Sequence, residues 1–92
     1  MVNVIQGLVD RSGEIVKGSG FKVKEQDYGY EITFPNLNQV PTVIGQAGEI
    51  DDAITCVTVA TLPNPVKVLM ATLSPDGEFR KNAFAFIAVS ND

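Results

Sequence analysis

The sequence lacks the residues on which most catalytic and metal sites depend. It contains no histidine and no tryptophan among its 92 residues, and a single cysteine, Cys56. Without histidine, Ser-His-Asp and Cys-His catalytic arrangements and histidine-based metal sites are excluded. A lone cysteine cannot form an internal disulfide, and the alternating apolar residues around Cys56 predict a buried, inert thiol. We therefore expect a protein that is not an enzyme, with no catalytic residue, no metal site and no cofactor.

Basic patches and long apolar runs are also missing. The net charge is -4, and the seven lysines and arginines are scattered between acidic residues, a pattern that argues against nucleic acid as a partner. No apolar run approaches the ~20 residues that cross a bilayer, so membrane insertion is not expected. Residues 1–5 include no basic leader, and no export signal is expected there. The length fits one domain over residues 1–92 with a modest core.

Eight glycines divide the chain into short segments and leave little uninterrupted room for a helix. The intervening segments are rich in β-branched and aromatic residues and often alternate apolar with polar side chains, which is typical of strands. Strands spaced about 8–12 residues apart without helical patterns favour an all-β fold. We predict an antiparallel β-sandwich or jelly roll of about six to eight short strands, over residues 4–9, 14–16, 21–24, 30–34, 41–44, 54–62, 66–73 and 83–90.

Several short motifs predict turns between these strands. Asp10-Arg11-Ser12-Gly13 and Ser74-Pro75-Asp76-Gly77 each place a turn-initiating residue first and glycine last. Asp27-Tyr28-Gly29 predicts a hairpin between its flanking strands. Gly18-Ser19-Gly20 could cradle a phosphate, but no helix or lysine pattern follows it, so a bend between strands is favoured.

Two strands are apolar on both faces, which a sandwich strand does not need. Residues 84–89 alternate Phe84, Phe86 and Ala88 with Ala85, Ile87 and Val89, and residues 66–73 behave similarly. A second apolar face needs a cover, and the favoured cover is another subunit, with one face of each of these two strands lining the interface. The alternative is that bends or bulges turn both sets into one core. The sequence does not decide which face is the interface, so the candidates come from both faces: Val68, Met70, Phe84, Phe86, Ile87 and Val89.

The order of several motifs resembles a known class of domain. The motifs are Gly7-Leu8-Val9, Gly13-Glu14-Ile15, Gly18-Ser19-Gly20-Phe21-Lys22-Val23, Gly29-Tyr30-Glu31-Ile32-Thr33-Phe34, Pro41-Thr42-Val43 and Phe84-Ala85-Phe86-Ile87-Ala88-Val89. Together they resemble the small β-sandwich domains near the ends of phage tail-fibre and bacterial surface proteins, with an architecture similar to H-type lectins. The resemblance implies a compact homotrimer on a virion or bacterial cell surface that binds or scaffolds through loops at its end. The histidine or tryptophan of the lectin sugar sites has no counterpart here.

Binding residues are expected in the predicted turns, where loops usually carry function. Glu49, Asp51 and Asp52 could form an oxygen-rich Ca²⁺ site or a solvated acidic loop. The solvated loop is favoured, because these residues lack the regular spacing of a calcium-binding loop. Two functions remain open: an oligomeric attachment or recognition module that binds a surface glycan or other ligand, and a purely structural trimerisation or capping domain of a longer fibre. The candidate ligand-binding residues are Tyr28, Asp51, Asp52, Asp76, Glu78 and Arg80.

Overall fold

The computed structural model describes residues 2–47, 55–63 and 65–91. In these ranges the chain forms strands joined by turns and loops, and it contains no helix that could span a membrane. Each strand corresponds to one of the β-rich segments of the sequence. The strands are β1 (Asn3–Val9), β2 (Ile15–Gly18), β3 (Lys22–Gln26), β4 (Gly29–Thr33), β5 (Thr42–Ala47), β6 (Thr55–Leu62), β7 (Lys67–Leu73) and β8 (Phe84–Ser90).

The strands build two four-stranded sheets, which confirms the predicted all-β sandwich. Sheet A has the order β2-β1-β8-β5, and sheet B has the order β3-β4-β7-β6. Every strand pair is antiparallel. Hairpins join β1 to β2, β3 to β4 and β6 to β7, while the other connections cross between the sheets. As a result β7 and β8 belong to opposite sheets.

The core lies between the two sheets and is rich in aromatic rings. Tyr30 and Phe84 come from opposite sheets and pack with their ring centroids 4.9 Å apart. Phe86 packs edge to face against Phe21 at 4.9 Å and against Phe34 at 6.0 Å. All five side chains are buried. Removing a ring of this size from water stabilises the fold by roughly 1.5–3 kcal/mol, so these contacts hold the sheets together.

Glycines on the inner side of sheet A make room for these rings. Gly18, Gly7, Phe86 and Gly45 occupy one cross-strand row. A Cβ atom at Gly7 would lie 2.7 Å from Cε1 of Phe21, and a Cβ at Gly45 would lie 2.8 Å from Sγ of Cys56. Both distances are too short for a carbon atom. The row therefore needs residues without side chains on either side of Phe86.

The two predicted four-residue turns adopt the same geometry. The Gly13 amide donates to the Asp10 carbonyl at 3.0 Å, and the Gly77 amide donates to the Ser74 carbonyl at 2.9 Å. The Asp10 amide also donates to the Glu14 carbonyl, and the Ser74 amide donates to the Glu78 carbonyl, both at 2.9 Å. Gly13 has φ of 91° and Gly77 has φ of 84°, a region that favours glycine. Both turn predictions are confirmed.

Candidate functional site: an apolar sheet face and a loop end

Sheet A exposes an apolar outer face. Cross-strand pairing places Val4 and Val89 side by side, and it places Ile87 beside Ile44 in the next row. The exposed fractions of these residues are 62% for Val4, 39% for Val89, 48% for Ile87 and 73% for Ile44. They form a contiguous apolar patch that crosses β1, β8 and β5. A contiguous exposed apolar patch of this kind often marks an interaction surface.

A groove of about 430 Å³ lies beside this patch. Its lining includes the apolar side chains of Leu8 and Ile87, the amides of Gln6 and Gln46, and Lys17. The patch and the groove together form what we call the outer face of sheet A.

The outer face of sheet B has a different character. Its rows pair Lys24 with Glu31, and Thr33 with both Lys22 and Lys67. Nζ of Lys67 lies 3.1 Å from Oε1 of Glu31. Charged side chains of this kind keep an exposed sheet face solvated. Leu69 and Leu62 lie on the same face, but Leu62 is the one large hydrophobic residue that is exposed among the described side chains of the sheet B strands. Exposed large hydrophobic residues are thus more numerous on sheet A.

The predicted interface residues divide according to the direction in which they point. The side chains of Val68, Met70, Phe84 and Phe86 are at most 3% exposed and belong to the core of the subunit itself. The prediction that these four residues lie at an interface is wrong, because no second chain could reach them in the folded domain. Ile87 and Val89 point outward and remain candidates.

The expectation that β7 and β8 jointly line one interface is also wrong. The two strands lie in opposite sheets, so their outward faces point away from each other. The outward neighbours of Ile87 and Val89 come instead from β1 and β5. Val4 and Ile44 were not predicted as interface residues, although the alternation of side chains along both strands indicates which residues share a face.

A second feature is the loop end, made by the turns at residues 10–13 and 27–28 and the loop at residues 74–82. Oη of Tyr30 donates to the Arg11 carbonyl at 2.8 Å and lies 3.4 Å from the Asn82 carbonyl oxygen. The Tyr30 ring also packs against Phe79 with centroids 6.1 Å apart. Burial raises the pKa of Tyr30, so its hydroxyl stays protonated as a donor. One buried phenol therefore joins two of these loops.

The first turn is held by a carboxylate. Oδ1 of Asp10 accepts the Ser12 hydroxyl at 2.7 Å and the amides of Ser12 and Glu14, both at 2.9 Å. The hydrogen bond from the Ser12 hydroxyl, followed by that from the Glu14 amide, lowers the pKa of Asp10 below its ordinary value of 3.8. Asp10 thus remains ionised and fixes the shape of this loop at neutral pH.

A polar cleft of about 360 Å³ opens between two of the loops. It is lined by Glu25, Gln26 and Asp27 from the β3–β4 hairpin and by Phe79 and Lys81 from the 74–82 loop. Nζ of Lys81 lies 2.9 Å from Oε2 of Glu25 across the cleft. The cleft offers both charges, an amide and an aromatic surface, a combination that suits a small polar ligand.

The structure brings four of the predicted ligand-binding residues to this end. Tyr28 is half exposed in the β3–β4 turn, next to the cleft-lining Asp27. Asp76, Glu78 and Arg80 are exposed in the 74–82 loop, and the predicted Asp51 and Asp52 lie outside the described residues. The sequence did not predict that Glu25 and Lys81 line a common cleft, because their proximity depends on the packing of the hairpin against a loop that is distant in sequence.

The described side chains offer little for metal or thiol chemistry. Among residues 2–47, 55–63 and 65–91, no group of three or more acidic or cysteine side chains is placed to hold a metal ion. Cys56 is half buried between the sheets, and burial raises the pKa of its thiol to about 11. A thiol with that pKa is a poor nucleophile at neutral pH.

Comparisons with protein-family models, with curated proteins and with solved structures found no match to this chain.

Proposed function

We propose that this chain is a non-catalytic association module. Copies of it assemble through the outer face of sheet A, and the assembly presents its loop ends to a surface ligand such as a glycan. The observation that carries the proposal is the contiguous exposed patch of Val4, Ile44, Ile87 and Val89 on sheet A, whereas Leu62 is the one large hydrophobic residue exposed among the described side chains of the sheet B strands.

Self-association accounts for this difference between the two faces. Exposed apolar side chains in adjacent rows are removed from water only when another surface covers them. A second copy supplies an equally apolar face with the same spacing between strands, so the two surfaces are matched in size and character. The closed homotrimer implied by the resemblance to fibre and surface proteins is one such assembly.

The loop end supports the recognition part of the proposal. Glu25, Gln26, Asp27 and Lys81 supply hydrogen-bonding groups around the Phe79 ring, and a sugar presents both hydroxyl groups and an apolar ring face. A single shallow cleft binds weakly, but several copies on one assembly gain avidity. Attachment to a virion or bacterial cell surface, as the resemblance implies, would use that multivalency.

Two measurements test the proposal. Light scattering coupled to size-exclusion chromatography should give a mass of several chains, and the assembled protein should bind members of a glycan array. Lys81→Ala should abolish glycan binding, while Lys22→Ala, which removes an exposed lysine from the outer face of sheet B, should retain it. A stable monomer at micromolar concentration would contradict assembly. An assembled protein that binds no glycan would leave the purely structural alternative.

A further inference from the structure

The two sheets formed by residues 2–47, 55–63 and 65–91 have four edges, which are not equally protected against pairing with another chain. An edge strand presents unpaired backbone N–H and C=O groups, and proteins block such edges with short strands, lysines, inward-pointing charges or bulges. In the two described sheets the edge strands are β2, β3, β5 and β6.

Three of the edges carry at least one protective feature. Strand β2 has four residues, includes Lys17, and pairs with β1 through an irregular register. Strand β3 carries Lys22 and Lys24 on one face and the ion-paired Glu25 on the other. Strand β6 is interrupted by a register shift between Thr58 and Ala60. These features discourage sheet extension at all three positions.

Strand β5 has none of these features. Its six residues, Thr42–Ala47, include no charged side chain and no proline, and Pro41 lies before the strand begins. All six pair with β8 in one continuous register, from Thr42 opposite Val89 to Ala47 opposite Phe84. Its central residue Ile44 has the highest exposed fraction, 73%, among the large exposed hydrophobic residues of the described chain. A regular, uncharged edge with an exposed isoleucine is a template for another strand.

We propose that β5 pairs with β5 of a second copy of this chain, antiparallel and across a two-fold axis at Ile44. This specifies one contact of the self-assembly proposed above and rests on that proposal. The two four-stranded sheets A would become one continuous sheet. Ile44 would face Ile44 of the second copy, and Thr42 would face Gln46 of the second copy.

Two features of β5 suit it to pairing with a second copy of itself. Self-pairing places no like charges opposite each other, a repulsion that lysine-bearing β2 and β3 would both suffer. It also extends the apolar row, because Ile87 lies directly beside Ile44 in each copy. The row then runs through four isoleucines across both copies, so edge pairing and the apolar outer face reinforce one another.

Cysteine cross-linking tests the register, using Cys56→Ala as the common background. Residues directly opposite on antiparallel strands have Cβ atoms about 4.5–5.5 Å apart, close to what a disulfide needs. Mild oxidation should therefore cross-link Ile44→Cys to itself, and Thr42→Cys to Gln46→Cys when the two variants are mixed. Thr42→Cys alone should stay uncrosslinked, because its two copies lie four residues apart along the strand, roughly 14 Å at ~3.4 Å per residue. Lys17→Cys on the opposite edge is the matched control and should also stay uncrosslinked.

The same experiment in an Ile87→Asp background separates edge pairing from packing of the outer faces. If the cross-links still form in this background and the cross-linked species contains two chains, the result supports edge pairing through β5. A mass of three chains, or an assembly without the expected cross-links, overturns edge pairing and leaves the proposed self-assembly standing. A parent protein that is monomeric at all concentrations overturns both.

Discussion

The hydroxyl of Tyr30 donates a 2.8 Å hydrogen bond to the carbonyl of Arg11, and its ring packs against Phe79. Arg11 lies in the β1–β2 turn, and Phe79 belongs to the loop between β7 and β8. One side chain from β4 therefore holds two loops that are distant in sequence. Each loop is closed by hydrogen bonds of its own, and the Tyr30 contacts join the two loops to each other.

Tyr30→Phe should destabilise the domain while preserving its core packing. The change leaves the Arg11 carbonyl without its donor, and losing such a bond in a part-buried position costs about 1–2 kcal/mol. Urea denaturation measures the loss directly. Tyr28→Phe is the matched control, because Tyr28 is half exposed in a turn, and it should leave stability unchanged. Equal stability of the Tyr30→Phe variant and the parent would show that the bond contributes nothing.

Gly7→Ala should destabilise the sandwich because the new methyl group meets a buried ring. Its carbon would lie 2.7 Å from Cε1 of Phe21 and 3.0 Å from Cε1 of Phe86. Overpacking of this kind costs about 1–3 kcal/mol. In a double-mutant cycle, Phe21→Leu should recover part of that cost by removing the nearer ring. Strictly additive effects of the two substitutions would mean that the clash is not the cause.

Asp10→Asn should flatten the dependence of stability on acid pH. The pKa of Asp10 in the folded protein is lowered from 3.8, chiefly by the Ser12 hydroxyl. The ionised group therefore stabilises the fold above its unfolded pKa, and this contribution is lost as pH falls through the lower folded value. Asparagine keeps an acceptor oxygen but does not titrate. Melting temperatures of both proteins, measured between about pH 6 and pH 2, should converge as the pH falls; parallel curves would contradict this role.

Sequence patterns predicted the strands and turns well because both depend on local signals. Gly13 and Gly77 marked turns whose backbone favours glycine, and alternation identified the β-rich segments as strands. The pairing of those strands was not predictable in the same way. Phe86 and Ile87 are both apolar, and their sequence neighbourhood does not say which one faces the partner sheet.

The candidate site could not be predicted from single segments, because it forms through contacts between residues that are far apart in sequence. The turn residues Tyr28 and Asp76 were predicted because their positions are local features of the chain. The ion pair of Glu25 and Lys81, 2.9 Å apart, joins residues far apart in sequence. The patch that includes Val4 and Ile44 likewise forms only when β8 is inserted between β1 and β5. Contacts of this type depend on sheet order, which composition and periodicity do not determine.

Two adjacent residues of β8 give the sharpest test of the proposed assembly. Phe86 is 3% exposed and faces the core, whereas Ile87 is 48% exposed and faces outward. Phe86→Asp should prevent folding, because it replaces a buried ring with a charge that has no partner among the surrounding rings. Circular dichroism would then lack the β-sheet signal of the parent.

Ile87→Asp should instead keep the fold and weaken association through the outer face, since the new carboxylate would have to lose water in the contact. The measurement is the concentration dependence of mass by light scattering, together with the melting temperature at high dilution. The expected result is a folded variant whose assembly has a lower mass than that of the parent. Thr42→Ser changes an exposed residue on the same face only slightly, and as a control it should assemble as the parent does. Were Ile87→Asp to assemble with unchanged affinity, the outer face of sheet A could not be the association surface, because a charge beside Ile44 would lie within the contact.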